Sequence, residues 1–421
     1  MLDIKFIREN PDKVKQNALN KGVEIDVDAI LKLDGDRRGF ISAAEKLKAK
    51  QNKANQELVR LKKAGEDANS MVKELREISD QAKNLDKQRG EIEEEMNVLM
   101  LDIPNMAQED VPVGGEEANK LLREYGEEKQ FSFEPKAHWD LGDELRILDT
   151  KLAAKLAGSN FALFKGAGAR LVRALMSFML DRHSENGYVE VWPPILANRE
   201  IMTGTGQLPK FKEDMYQVDN AELFLIPTAE VPLTAIHAGE ILQFMDLPLK
   251  YAAYTPCFRR EAGAYGRETR GLLRVHQFDK VEILKVTTPE QAPDALEGLL
   301  ADAEEIIKSL GLRYRVLLLS TREMTFASSR TYDIEIWSPG VKRWLEVSSV
   351  SSFGEFQARR LNMRYRDENR KVRFCHTMNG SGVAFARLIA CLLEMYQQED
   401  GSVELPEPLR KYFGSERIEK A

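Results

Sequence analysis

The chain has 421 residues, of which 31% are charged and 43% hydrophobic, and its 61 Lys and Arg against 68 Asp and Glu give a formal net charge of −7. That length exceeds what one compact domain usually holds and sets an expectation of two, while the mild acidity excludes wholesale coating of nucleic acid but not a local basic patch. Three cysteines without CxxC spacing (Cys257, Cys375, Cys391) and five scattered histidines suggest neither a disulfide framework nor a metal cluster, so no zinc is expected and a reducing, cytoplasmic setting is.

The first residues, MLDIKFIREN, are charged from position 3 and lack the apolar core of a signal, and Arg387 interrupts the most apolar run, VAFARLIACLL, so no membrane segment is expected. From Phe40 onward, apolar or small residues recur in steps of four and three, with Gln51 the one polar member: Phe40, Ala44, Leu47, Gln51, Ala54, Leu58, Leu61. After KKAGEDANS the pattern resumes as Met71, Leu75, Ile78, Ala82, Leu85, Arg89, Ile92, Met96, Leu99. This is the period of two helices zipped along one seam, and a short connector containing Gly65 makes them antiparallel. The 29 residues from Met71 to Leu99 would span roughly 43 Å at the helical rise, an arm rather than a globule.

The two helices carry opposite charge. From Arg37 to Lys63 nine basic residues face Glu45 and Glu57, a balance of +7, whereas from Met71 to Leu99 five basic residues face eight acidic ones, a balance of −3. About half of these charges are expected to solubilise the rod and pair across it. The surplus on the first helix suits the phosphates of a folded nucleic acid, with Arg37, Arg38, Lys46, Lys50, Lys53 and Arg60 as candidate contacts. The arm ends at IPNMAQEDVPVGGEEANK, where Pro104, Pro112, Gly114 and Gly115 interrupt any period. Residues 1–105 are therefore assigned to a helical arm and 106–421 to a second domain. In the latter, helix-period stretches mix with short β-rich runs (YVEVWPPIL, LFLIP, RTYDIEIW, WLEVSSV) that lack regular strand–helix alternation. The expected class is α+β, with a mainly antiparallel sheet flanked by helices.

Within this domain, FRREAGAYGRETRGLLRVHQFDKVE concentrates arginines, carboxylates and glycines. Read as antiparallel strands, AYTPCFRRE and LRVHQFDKVEIL are joined by a loop, AGAYGRETRGL. Alternation then puts Arg259 and Glu261 on one face, and Arg274, His276, Phe278, Lys280 and Glu282 on one face of the partner, with Val275, Val281 and Ile283 opposite. An arginine forks onto phosphate, a phenyl ring stacks on a purine and a carboxylate holds an ammonium group, so the face suits a nucleotide beside an amino acid. His138, His183 and His237 have no ligand partners at metal spacing and read as surface or hydrogen-bonded core residues; His276, on the proposed face, reads as structural support. Cys257 and Cys391 read as packed thiols.

This segment resembles the second signature motif of class II aminoacyl-tRNA synthetases, and in detail that of the seryl-tRNA synthetases. The first motif is matched by GYVEVWPPIL, with Pro194 at the position of the dimer-interface proline, the third by NGSGVAFARLIACLLEMYQ, and the serine-covering loop by PTAEVPL. The resemblance implies a homodimer that activates L-serine with ATP and Mg2+, then charges tRNA(Ser), and tRNA(Sec) where present, gripping the long variable arm of the tRNA with the helical arm. It implies Arg259 and Arg387 as catalytic residues. It places ATP against Arg259, Arg260, Glu261, Val275 and Phe278 and against Glu346, Val347, Ser348, Ser349 and Arg387, with Glu346 and Ser349 also holding Mg2+. It places serine against Thr228, Ala229, Glu230, Arg259, Glu282, Asn379 and Ser381. Three positions depart from the family pattern: Ala386 stands where glycine is usual, Ser352 where asparagine is, and Glu355 where aspartate is. Two rival readings have counter-evidence in the same residues. Intact Arg259, Glu261, Glu282, Glu346 and Arg387 oppose a non-catalytic RNA binder, and the arm opposes an enzyme that hands serine to a carrier protein.

Overall fold

Asp26 opens the longest helix of the chain by accepting a hydrogen bond from the Ala29 N–H at 2.9 Å, the side-chain cap that a first helical turn needs. The structure, a computed structural model, describes residues 1–262 and 270–420 and divides into two compact units, Met1–Pro104 and Asn105–Ala421. In the first unit two short helices, α1 (Ile4–Glu9) and α2 (Pro11–Asn20), precede α3 (Val27–Ala64) and α4 (Asn69–Leu101). The sequence reading missed α1 and α2, which are too short to show a sustained period. Gly65 ends α3 in the left-handed region at φ 71°, donating to the Leu61 and Lys62 carbonyls, and the chain turns back within four residues. Along the α3–α4 seam Ala54, Ile78 and Met96 are buried, and every other predicted seam residue, Gln51 and Arg89 included, is half-buried.

The second unit is built on an eight-stranded sheet. In chain order its strands are β1 (Lys120–Tyr125), β2 (Val189–Glu190), β3 (Leu249–Phe258), β4 (Gln277–Thr287), β5 (Tyr314–Leu318), β6 (Arg330–Ser338), β7 (Arg343–Gly354) and β8 (His376–Ala384). Across the sheet they run β1-β5-β6-β7-β8-β4-β3-β2, antiparallel except for the β2–β3 pair. Helices α5 (Ala167–Glu185), α6 (Ala292–Ser309) and α7 (Phe385–Tyr396) contribute Leu175, Phe178, Leu299, Ile306, Leu388 and Leu392 to one core with Val281, Ile283, Ile334, Ile336 and Val350 of the strands. Strand alternation therefore turns Phe278, Lys280 and Glu282 to the other face.

The predicted hairpin exists between β3 and β4 with Cys257 opposite Phe278 and Ala253 opposite Glu282, but its strands are shorter at the loop end than expected. Arg259, Glu261, Arg274 and His276 lie beyond the strands, so alternation does not decide where they point. The Arg259 N–H still donates to the His276 carbonyl at 2.9 Å, after which Glu261 at φ 52° breaks the extended path. His276 does not join the active face; its ring lies 5.3 Å from that of Phe161 and its Nδ1 is 3.1 Å from the Arg259 carbonyl. Most of the predicted loop, residues 263–269, lies outside the described residues.

In the first unit Asp34 is a buried charge at the meeting of α1 and α3. Its carboxylate accepts from Arg8 at 2.9 Å, Arg37 at 3.2 Å and Arg38 at 3.1 Å. Burial by itself would raise this carboxyl, but hydrogen bonds from Arg8 and Arg37 and the charges around it hold it below the ordinary aspartate range. A carboxylate depressed in the folded state contributes stability above its unfolded pKa and loses it as the pH falls through the folded value. Asp34→Asn should therefore cost this unit about 1.5–3 kcal/mol near pH 7, read by native-state hydrogen exchange of α1 and α3 amides. The difference from wild type should begin to close as the pH falls below about 4 and vanish only below the folded value, and a pH-independent difference would show that shape, not charge, matters at position 34.

Candidate active site

On the sheet face turned away from the helical core lies a cavity of about 700 Å3, within the range of small-molecule sites. β4 lines it with Phe278, Lys280 and Glu282, β6 with Thr331 and Asp333, β7 with Glu346, Val347, Ser349 and Ser351, and β8 with Asn379 and Ser381. Loops add Thr228, Arg259, Glu261 and Leu272–Val275, the short helix Glu230–Ala235 adds its first residue Glu230, and the first turn of α7 adds Ala386 and Arg387. Glu346 and Ser349 share this wall although three positions separate them, which strict alternation forbids. The register of β7 on β6 shifts between Glu346 and Ser348, and this bulge returns Ser349 to the side that Glu346 faces.

One end of the cavity is rich in guanidinium groups. Arg387 donates through Nη1 to the Glu346 carbonyl at 2.8 Å and its carboxylate at 3.2 Å, and through Nε to the Leu273 carbonyl at 3.1 Å. Burial would raise the Glu346 carboxyl, but Arg387, Arg259 and Lys280 outweigh burial and keep it below the usual range. The Arg259 guanidinium lies 5.2 Å from the centre of the Phe278 ring, and Arg274 is ion-paired with Glu261. Asp333, opposite Ser349 in the ladder, was missed by the sequence reading. Burial and the nearby Glu346 push its carboxyl well up, and its Oδ1 is buried without a hydrogen-bond partner.

The other end is a knot of opposite charges. Lys280 Nζ lies 2.5 Å from Glu282 Oε2 and donates to the Thr228 hydroxyl at 2.8 Å, while that hydroxyl donates to Glu282 at 3.2 Å. Thus the groups that the resemblance assigns to the serine ammonium are already bridged by a lysine of the chain. Asn379 Nδ2 donates to Glu282 Oε1 at 2.5 Å, and the Asn379 Oδ1 is buried with no partner. Burial, reinforced by Glu282, pushes Glu230 up to about 7.

Most of the expected site residues meet in this cavity, but three do not line it. Ala229 is buried in a hydrophobic cluster with Leu233 and Leu284, and Arg260 is exposed with its backbone N–H donating to the Asp214 carbonyl. Ser348, at the bulge, turns its hydroxyl to the Ser381 carbonyl at 2.6 Å. On the arm, Arg37 and Arg38 are engaged by Asp34, and Arg60 by Glu57 and Glu66. Lys46, Lys50 and Lys53 are exposed, and among the described residues no ion pair engages them. The three departures from the family pattern are accommodated locally. Ala386 sits in the first turn of α7 without a positive φ, the Ser352 carbonyl accepts from the Ser329 N–H and hydroxyl, and Glu355 pairs with Arg359 at 2.7 Å.

Residues 1–107 match the family described as the seryl-tRNA synthetase N-terminal domain, and residues 211–396 match the tRNA synthetase class II core domain (G, H, P, S and T). The chain is 49% identical to the serine–tRNA ligase of Methylacidiphilum infernorum and 51% identical to that of Caldicellulosiruptor saccharolyticus, in each case over 99% of this chain and 100% of the relative. It also matches the crystal structure of seryl-tRNA synthetase from Pyrococcus horikoshii complexed with ATP, with a TM-score of 0.94, 37% identity and 100% of both chains covered. The chain belongs to the seryl-tRNA synthetase family.

In this synthetase the segment that follows the second motif's loop is anchored by residues that no motif reading singled out. Glu394 accepts from the His138 backbone N–H at 2.9 Å and from Nδ1 at 2.7 Å, from the Gly340 N–H at 3.0 Å and from the Ser338 hydroxyl. Because Nδ1 donates, Nε2 is free to accept, and it takes the Leu272 N–H at 3.0 Å. Gly271 makes this approach possible: at φ +66° it carries no β-carbon, and one would lie 2.5 Å from His138 Nε2. His138→Asn keeps a donor for Glu394 but withdraws the acceptor from Leu272. The expected outcome is faster amide exchange at Leu272–Arg274 with the thermal midpoint near that of wild type; unchanged exchange would reduce His138 to packing.

Proposed function

We propose that the cavity holds ATP and L-serine side by side, joins them as seryl-adenylate, and that the synthetase then passes serine to the 3′ end of tRNA(Ser), or of tRNA(Sec) in sources that have it. The observation that carries this reading is the union, in one cavity, of Arg259, Arg387 and Glu346 at one end with Thr228, Lys280 and Glu282 at the other. Such a site suits a polyanion beside a small zwitterion.

In the first step a carboxylate oxygen of serine attacks the α-phosphorus, the bond to the bridging oxygen breaks, and pyrophosphate departs. Negative charge grows on the five-coordinate phosphorus, so preorganised cations supply most of the stabilisation and alignment the rest. Arg259 is assigned to the α-phosphate and the serine carboxylate, and Arg387 to the γ-phosphate. Phe278 stacks on the adenine, with Glu261, Val275 and Val347 around the nucleotide and Arg260 and Ser348 supporting that wall from outside the cavity. Glu346 and Ser349, with the unpartnered Asp333 oxygen opposite, form an oxygen set that suits Mg2+ carried in on phosphates, although among the described residues no three His, Cys, Asp or Glu side chains group to hold a metal ion alone. When bound, the ion would neutralise phosphate charge. Glu282, Thr228, Glu230, Asn379 and Ser381 are assigned to the serine ammonium and hydroxyl, with Ala229 fixing the loop beneath. In the second step a hydroxyl of the terminal tRNA ribose attacks the acyl carbon and AMP leaves.

The arm, residues 1–105, is assigned to tRNA and residues 106–421 to catalysis. Lys46, Lys50 and Lys53 are the foremost phosphate contacts; Arg60 can exchange an exposed, weak pair for phosphate, whereas Arg37 and Arg38 serve Asp34 first. A homodimer through the first motif is supported by the exposed apolar group Val189, Trp192, Ile195 and Leu196 flanking Pro194. No helix among the described residues is long and apolar enough to cross a membrane, and the cytoplasm is the proposed location.

Pyrophosphate exchange into ATP, run with each amino acid in turn, should respond to serine; dependence on another amino acid, or on none, would overturn the reading. Arg259→Ala should lower serine-dependent exchange by about 10²-fold or more with the fold retained, and an unchanged rate would remove Arg259 from the chemistry. Replacing Lys46, Lys50 and Lys53 together by alanine should spare exchange, weaken tRNA(Ser) binding, and flatten the log K against log salt plot by about 2 to 3 units of slope. An unaltered slope would move the tRNA contact elsewhere.

A further inference from the structure

Beneath the amino-acid end of the cavity runs a buried chain of polar side chains. Gln357, on the short helix Phe356–Arg360, is fully buried. Its Nε2 donates to Glu230 Oε1 at 2.7 Å and to the Thr205 carbonyl at 3.2 Å, and its Oε1 accepts from the Thr377 hydroxyl at 2.7 Å. An amide has one donating and one accepting end, and here every neighbour dictates the same choice. Turning the amide over would set its carbonyl against a carboxyl and a carbonyl, and would leave buried partners unpaired, each costing about 1–3 kcal/mol. The chain continues past Glu230. The Asn379 amide, which helps to hold the Glu230 carboxyl down, donates through Nδ2 to Glu282 Oε1, and its unpartnered Oδ1 is the end left for a donor from a ligand. Neither Gln357 nor Thr377 lines the cavity; they act through Glu230.

We propose that Gln357 is a positioning residue for amino-acid recognition: locked by Thr377, it holds Glu230 in the orientation that presents a polar floor to a small hydroxylated amino acid. The inference rests on the serine-activating reading of the cavity. Glu230 is faced by Glu282 and Lys280 from β4, by Asn379 from β8 and by Gln357 from below. Burial and Glu282 push its carboxyl up to about 7, and the hydrogen bond from Gln357 pulls it down. Withdrawing that donor removes both a fixed orientation and a force that keeps Glu230 ionised.

Three variants in serine-dependent pyrophosphate exchange test this, with serine, ATP and pH varied separately. Exchange by the wild-type enzyme establishes serine activation itself, so failure of that reading appears there, and failure of this inference appears only in the variants. Gln357→Met, of similar length but without a donor, should raise the serine KM tenfold or more, leave the ATP KM within twofold, and move the acid limb of kcat/KM for serine to higher pH. Thr377→Val, similar in shape but without the hydroxyl, should raise the serine KM severalfold, and Thr377→Ser should restore it. A folded Gln357→Met enzyme with serine KM within twofold of wild type, or with serine and ATP KM rising together, would overturn the proposal. Should Gln357→Met fail to fold, the threonine pair decides: equal serine KM in Thr377→Val and Thr377→Ser would overturn it.

Discussion

The guanidinium of Arg387 ties together three segments that the chain order keeps apart: β7 through the carbonyl and carboxylate of Glu346, the segment after the second motif's loop through the Leu273 carbonyl, and α7, which carries it. Part-exposed, this ion pair contributes little by itself, and the guanidinium's geometry is fixed by additional hydrogen bonds. The two backbone carbonyls provide them. The same logic governs the opposite end, where Lys280 satisfies Glu282 and Thr228. Each pole thus has its charges fixed in place by the protein itself, and alignment precedes ligand binding. Glu394 extends the scheme outward by fixing the His138 tautomer, which in turn fixes the N–H of Leu272, the neighbour of Leu273.

The arm treats its charges differently. Its seam is only partly dry, with Gln51 and Arg89 among the half-buried positions, and its cohesion comes from many modest contacts along two long helices. Asp34 is the exception, a carboxylate buried under three arginines. The raw balance of +7 on the first helix therefore overstates what is available to phosphates. Arg37 and Arg38, with rigid, multiply donating heads, are recruited by the buried Asp34, whereas lysines on flexible stems are left in solvent.

What could be read from the sequence follows the range of the interactions involved. The seam was readable because its period repeats over many turns, and β3 and β4 because β-branched and apolar residues alternate along them. Their ends were not, since Glu261 adopts φ 52° for reasons that lie in the loop and not in the strand. Arg259, Phe278 and Glu282 were readable from the charge and alternation of the hairpin, Glu346 and Arg387 through family motifs. By contrast His138 meets Glu394 across 256 positions, and Gln357 meets Glu230 across 127. Ala229, Arg260 and Ser348 belong to the motifs but do not line the cavity, because a strand or turn points alternate side chains elsewhere.

The irregularity in β7 bears on how this enzyme can be altered. Deleting one residue between Glu346 and Ser349 would leave them two apart, and even pleating would then keep both oxygens on the cavity wall without a bulge. Straightening the strand at its present length would instead turn one of these two oxygens toward the hydrocarbon interior, leaving an inert scaffold of nearly the same outline. Insertions and deletions here are decided by parity rather than by length.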